Sequence, residues 1–326
     1  MTAWYAILLG LVQGLTEFLP VSSSGHLVLL QRFLGTGGVD PLLLDVWLHM
    51  GTLWAVLLCY REDLAALLRA VPGLLRREKG HADRPENGQA DRPDTAASPR
   101  LLLLLLCALA PMAAAPLLMG PAERFFSAPA AVGCLLPVTA LLLWLADRAV
   151  ERRVGEPQTA EKSAAPASQP APKVEKTMPR SSSGAESTVP PAPKDESTAD
   201  WRDALTVGFL QLAALLPGIS RSGAAAAGGC LRGFSRGFAV RFSFLLSIPV
   251  ILGSAAATLP RLIALWPALR ADPAALTACA AGMLAAALSG IAAISLVRRL
   301  ASRTFAPFVL YCLLAGAAVL AGTLGR

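Results

Sequence analysis

The sequence predicts an all-α integral membrane protein built as an inverted-topology repeat, each half a re-entrant helical hairpin followed by three transmembrane helices. Three observations lead there. The 326 residues are 54% hydrophobic and only 16% charged, with a mean hydropathy of +0.54, too apolar for soluble domains. Uncharged runs at 101–122, 125–146, 242–260, 273–297 and 304–325 cross, or nearly cross, a hydrocarbon core of ~30 Å as helices. Finally, two short apolar segments are each interrupted by Pro, Ser and Gly at corresponding places in the two halves.

In chain order, residues 1–36 form the first hairpin: the apolar stretch before Glu17 is too short to span, and Pro20, Ser22, Ser23, Ser24 and Gly25 break it before a second apolar run. The first repeat, 1–150, continues with spans at 41–60, 101–120 and 128–147, with a polar loop of mixed charge at 61–100. Residues 151–200 hold eight prolines and no aromatic, Leu or Ile, so they bury too little apolar surface to offset ordering entropy and read as a disordered linker. The second repeat, 201–326, opens with a hairpin at 201–236 broken at Pro217, Gly218, Ser220 and Gly223, followed by spans at 239–259, 274–297 and 304–324. A displacement of 198 superimposes Gly10 on Gly208, Gln13 on Gln211, Ser22 on Ser220, Ser24 on Ser222, Gly25 on Gly223 and Gly35 on Gly233. These matches fall on the polar clusters, the mark of an internal duplication. Three spans per half is an odd number, so the second half enters inverted.

Lys and Arg set the orientation. The connections 61–100 and 148–202, with the turn holding Arg298, Arg299 and Arg303, carry 20 basic residues and read as cytoplasmic. Opposite connections at 120–127 and 260–273 hold only Arg124, Arg261 and Arg270, so the termini are expected outside. The start of the chain lacks the basic region and cleavage site of a signal peptide. A net charge of +7 invites a nucleic-acid reading, but the charge lies in connections rather than on one face, which excludes it. The six cysteines lie in apolar segments without metal-ligand spacing and read as packing residues.

Chemistry concentrates in the hairpins. Gln13 and Glu17 stand four apart on one helix face, and an intramembrane carboxylate is functional by default. The turn Ser22-Ser23-Ser24-Gly25 and the helix after it favour an anion, although Ser-rich turns also serve as plain N-caps. His26 follows directly, placed for acid–base work or as an interfacial histidine. Arg221 is the only charge between Asp203 and Arg232 and needs an anionic partner, Glu17 or a phosphate it can grip bidentately. One carboxylate, one imidazole, one guanidinium and several hydroxyls suit phosphoryl chemistry on a lipid. A secondary transporter or lipid flippase shares the inverted-repeat pattern but needs no nucleophile.

Two motifs, Gln13-Gly-Leu-Thr-Glu17-Phe-Leu-Pro-Val-Ser-Ser-Ser-Gly-His26 and Pro217-Gly-Ile-Ser-Arg221-Ser-Gly223, resemble those of the undecaprenyl-diphosphatase family, the bacitracin-resistance type. The resemblance extends to Asp45-Val-Trp-Leu-His49-Met-Gly51-Thr and Phe242-Ser-Phe-Leu-Leu246 and excludes 77–99 and 151–200. It implies a multi-pass enzyme of the bacterial inner membrane, its site facing the periplasm, that recycles a polyprenyl diphosphate carrier for peptidoglycan synthesis. By similarity Glu17, His26 and Arg221 are essential and Ser23 is a nucleophile or phosphate ligand. Ser22, Ser24, Gly25, Gly218, Ser220, Ser222 and Gly223 line the phosphate site. A divalent cation, Mg2+ or Ca2+, is expected at Glu17, with Gln13 as a non-ionising ligand. Ala225 stands where many members carry Thr. Surrounding lipid is a partner, and a homodimer is compatible with the resemblance.

Overall fold

The computed structural model describes residues 3–34, 41–75, 99–126, 128–154, 192–301 and 303–324. Every regular element among them is helical: α1 (Ala3–Phe18), α2 (Ser23–Leu34), α3 (Pro41–Cys59), α4 (Arg61–Leu75), α5 (Pro99–Leu109), α6 (Ala115–Phe126), α7 (Pro129–Val154), α8 (Trp201–Leu212), α9 (Arg221–Leu231), α10 (Arg236–Ala271), α11 (Pro273–Leu300) and α12 (Ala306–Leu324). Among the described residues five helical segments are long and apolar enough to cross a membrane, six if the α3–α4 pair, bent by 79°, is one broken span. The chain is therefore a multi-pass membrane protein, all-α over the described residues.

The two interrupted segments form helix–break–helix units. With 16 residues, α1 reaches roughly 24 Å and falls short of the bilayer core. Pro20 ends it, and Ser22 turns the chain at φ +72° before α2. In the second unit, α8 opens on a capping box between Asp200 and Asp203, Gly218 turns at φ +112°, and Ser220 caps α9 by accepting a hydrogen bond from the Gly223 N–H at 3.1 Å.

Each short helix is buried by small residues. A Cβ at Gly10 would strike the Gly282 carbonyl on α11, and one at Gly208 would strike the Ala108 carbonyl on α5. Without a hydrophobic drive between helices in lipid, such close backbone approach is what joins them. The α11 face that receives α1 also packs α3, while α7 packs α12 and supports α9. Outward-facing Trp54, Leu106, Leu141, Leu288 and Leu314 present an apolar exterior to lipid.

Four boundaries differ from the sequence expectation. The loop expected at 61–100 begins as helix α4, its acidic first turn favoured by the helix dipole and Asp63 paired with Arg241; residues 76–98 lie outside the described residues. The second span, expected at 101–120, is one continuous helical run, Pro99–Ala122, tightened between α5 and α6 by a 3-10 stretch at Ala110–Ala114 that contains Pro111. Helix α10 runs through Pro249, Pro260 and Pro267 to Ala271, absorbing most of the connection expected at 260–273, because neighbouring groups in a membrane fold tolerate prolines inside helices.

At the linker, residues 151–154 extend α7 and residues 192–200 are packed. Lys194 exchanges backbone hydrogen bonds with Gly233 and Ser235 (2.7 and 3.2 Å), and its ammonium meets Asp203 at 2.6 Å. Residues 155–191 and Gly35 lie outside the described residues.

Candidate active site

The breaks of the two hairpins touch. Ser22 Oγ accepts from the Gly218 N–H at 3.1 Å and, at 3.4 Å, from the N–H of Gly25, so one hydroxyl ties both breaks together. Ser22 is 2% exposed and needs these donors for a buried oxygen. Ser222 donates to the Leu19 carbonyl at 3.3 Å, and Thr139 of α7 bridges the second break, donating to the Gly218 carbonyl and accepting from the Ser220 N–H, both at 2.9 Å. Of the residues expected to line the phosphate site, Ser22, Gly25, Gly218, Ser220, Ser222 and Gly223 are thus buried framework, whereas Ser23, Ser24, His26 and Arg221 remain partly exposed.

Glu17 is the hub. It lies in the last turn of α1, where the helix dipole disfavours a carboxylate, and it is 6% exposed. Compensation comes from two other elements and from Gln13, one turn back on α1. Arg221, the first residue of α9, places Nη2 on Glu17 Oε1 and donates through Nη1 to the Ser247 carbonyl at 3.4 Å. On Oε2, Ser23 Oγ donates at 2.5 Å and Gln13 Nε2 at 3.0 Å. A buried carboxylate without such partners would be strongly disfavoured. Gln13 Oε1 is buried with no partner among the described residues.

His26 faces elsewhere. Its Nδ1 lies 2.6 Å from the Ser22 carbonyl and its Nε2 2.6 Å from the Tyr311 hydroxyl of α12. The proton of Ser23 therefore points at Glu17 and not at His26, contrary to a simple serine–histidine pair. Three contributors escaped the sequence reading: Tyr311, the Ser247 carbonyl, and His49, whose Nε2 stands 3.9 Å from Glu17 Oε2 while its Nδ1 is bound to the Asp45 carbonyl at 2.7 Å. A histidine inside the apolar 41–60 span was the available signal; a lone tyrosine in 304–324 gave none. Residue 225 is a buried alanine and adds no hydroxyl.

Where the two broken helices meet, Glu17 thus receives a serine hydroxyl and an arginine, a candidate site whose guanidinium and hydroxyl have the chemistry to meet a phosphate. The family model of bacitracin resistance protein BacA matches residues 6–318. Similar proteins named undecaprenyl-diphosphatase include those of Geobacter sulfurreducens (34% identical, 100% of both chains), Gemmatimonas aurantiaca (33%, 100% of both) and Carboxydothermus hydrogenoformans (34%, 78% of this chain and 72% of that one). The chain belongs to the BacA family of bacitracin-resistance proteins.

Proposed function

We infer that Glu17, Ser23, His26 and Arg221 are the working residues of this enzyme. The chain is an undecaprenyl-diphosphatase, a hydrolase that converts undecaprenyl diphosphate to undecaprenyl phosphate and inorganic phosphate and thereby serves cell-wall synthesis and bacitracin resistance. A transporter reading is not favoured by these relatives.

The observation that carries the site is the Ser23 Oγ to Glu17 Oε2 hydrogen bond of 2.5 Å beside Arg221. When the diphosphate enters, its negative charge competes with Glu17 for the guanidinium, whose fork fits a phosphoryl group bidentately. Glu17, freed of part of its cationic partner, becomes a better proton acceptor for Ser23. Ser23 Oγ then attacks the terminal phosphorus, its proton passes to Glu17, and the bond to the bridging oxygen breaks, releasing undecaprenyl phosphate. Water hydrolyses the phosphoserine, with His26 exchanging the proton. Direct attack by water held at Ser23 is the second reading. A phosphoenzyme trapped in the wild type and lost in Ser23→Ala supports the covalent route; oxygen-18 tracing of one direct displacement rejects it.

A divalent cation, Mg2+ or Ca2+, is part of the proposal, although among the described residues no group of three His, Cys, Asp or Glu side chains stands ready for it, so water and phosphate oxygens would have to complete its shell. Glu17 and the unpartnered Gln13 Oε1 would hold it. A bound cation would supply charge neutralisation for the phosphoryl group. Phosphate release from purified protein with and without chelator tests this; equal rates would remove the cation from the site.

The inverted repeat is supported by reciprocal packing: α1 of the first half lies on α11 of the second, α8 of the second on α5 of the first, and the two final spans, α7 and α12, on each other. With basic connections on the cytoplasmic side, the site opens to the periplasmic side of the inner membrane. Periplasmic labelling of Ser24→Cys by an impermeant maleimide checks the orientation; labelling only from the cytoplasm would reverse it.

A further inference from the structure

The contact between His26 and Tyr311 is a strong one that no step above uses. The rings stack at 16° with centroids 5.7 Å apart, and the Tyr311 hydroxyl is 2.6 Å from His26 Nε2. The other ring nitrogen fixes the direction of this bond. Nδ1 lies 2.6 Å from the Ser22 backbone carbonyl, which can only accept, so Nδ1 carries the proton. In the neutral ring Nε2 is then a bare acceptor, and Tyr311 is its donor.

The register of α12 is fixed at the same place, because the neighbouring Cys312 is buried with Sγ 3.7 Å from the Pro20 carbonyl in the first break. Two consecutive residues of the last helix thus grip the hairpin that carries the chemistry. Tyr311 is 44% exposed, so its ring is not packed in the core, and little about its burial requires a hydroxyl there.

We propose that Tyr311 is the positioning residue for His26: its hydroxyl holds Nε2 and its ring sets the imidazole plane, keeping one tautomer aimed until an oxygen of the substrate or of the attacking water takes the hydroxyl's place. This rests on the reading of His26 as the proton-exchanging group. A base needs a third group to orient it, and here the orientation is divided between the helix's own carbonyl and a residue 285 positions away. The neutral, Nδ1-protonated form is the one that can accept a proton at Nε2.

The test is Tyr311→Phe, which keeps the ring and removes only the hydroxyl, assayed as full-length protein in detergent with undecaprenyl diphosphate. Expected is a fall in kcat of about tenfold or more with KM within about twofold. In a His26→Gln background the same change should cost less than about twofold, since the two residues act as one unit. A readout independent of turnover is carbethoxylation by diethyl pyrocarbonate, mapped by mass spectrometry. Losing the hydroxyl should raise the rate at His26 several-fold while leaving His49 unchanged.

Wild-type kcat in Tyr311→Phe, or an undiminished loss in the His26→Gln background, overturns the proposal, as does an unaltered carbethoxylation rate at His26. A His26→Gln enzyme with full turnover would bring down the acid–base reading and the proposal with it. A crippled His26→Gln beside a normal Tyr311→Phe would bring down the proposal alone.

Discussion

The two hairpins share one backbone plan and differ in nearly every reactive side chain. At the displacement of 198, Ser22 and Ser220 both accept a hydrogen bond from the glycine three residues on, and Gly10 and Gly208 both bring a short helix against a backbone carbonyl of the opposite half. Yet Leu215 stands where the first hairpin has Glu17, Arg221 where it has Ser23, and Ala224 where it has His26. The first hairpin supplies the carboxylate, hydroxyl and imidazole; the second supplies a cation on an otherwise alanine- and glycine-rich helix. What the two hairpins have in common is backbone geometry, which needs its Ser and Gly at both breaks, whereas the proposed chemistry needs one carboxylate and one guanidinium facing each other. Two copies of either would place like charges together in low dielectric, where repulsion is costly.

That asymmetry can be broken most severely at Glu17. Glu17→Gln removes the proton acceptor for Ser23 and leaves Arg221 without its anion, and phosphate release should fall on the order of 10³-fold. Residual turnover within tenfold of wild type would strip Glu17 of its role as base. Next is Arg221→Lys, which keeps the charge but loses the fork. A loss of about 10²-fold in kcat/KM is expected, some 2–3 kcal/mol of transition-state stabilisation, and wild-type activity would end the phosphate-clamp reading.

Smaller effects test the shared framework. Ser22→Ala deprives the Gly218 and Gly25 N–H groups of their acceptor, and a stability loss of about 1–2 kcal/mol should appear as a lower unfolding midpoint in detergent. The smallest effect belongs to the glutamines. Gln13 donates to Glu17, but Gln211 is 1% exposed and, among the described residues, neither its amide nitrogen nor its oxygen has a partner. Gln211→Leu should therefore be neutral to stabilising by up to about 1 kcal/mol with unchanged kcat, since an apolar group replaces an unsatisfied polar one. A clear destabilisation would show that the second hairpin retains a polar contact at this place.

Much of the site was legible because membrane proteins make polar residues conspicuous. Glu17 and Arg221 stood out as charges inside apolar segments, and Ser23 as part of a break whose Pro and Gly announced it. Other features were hidden for physical reasons. Charges at the start of α4 read as loop, although an acidic first turn and an Arg241 partner 178 positions away make them helical. The packed segment 192–200 shares the composition of the linker, and its order comes from Phe234 and Asp203, which local composition does not report.

The sequence by itself determined the solvent of this protein, the two interrupted segments and the residue types at their centre, since hydropathy and helix-breaking chemistry are local properties. Only the tertiary structure decided the pairings: Ser23 with Glu17 instead of His26, His26 with Tyr311, and Ser22 between the two breaks. A side chain's proton goes to whatever acceptor the fold brings within reach: Ser23 and Glu17 are six residues apart but meet only because of how the break turns, and the other two contacts join residues 196 and 285 positions apart, which spacing along the chain does not record.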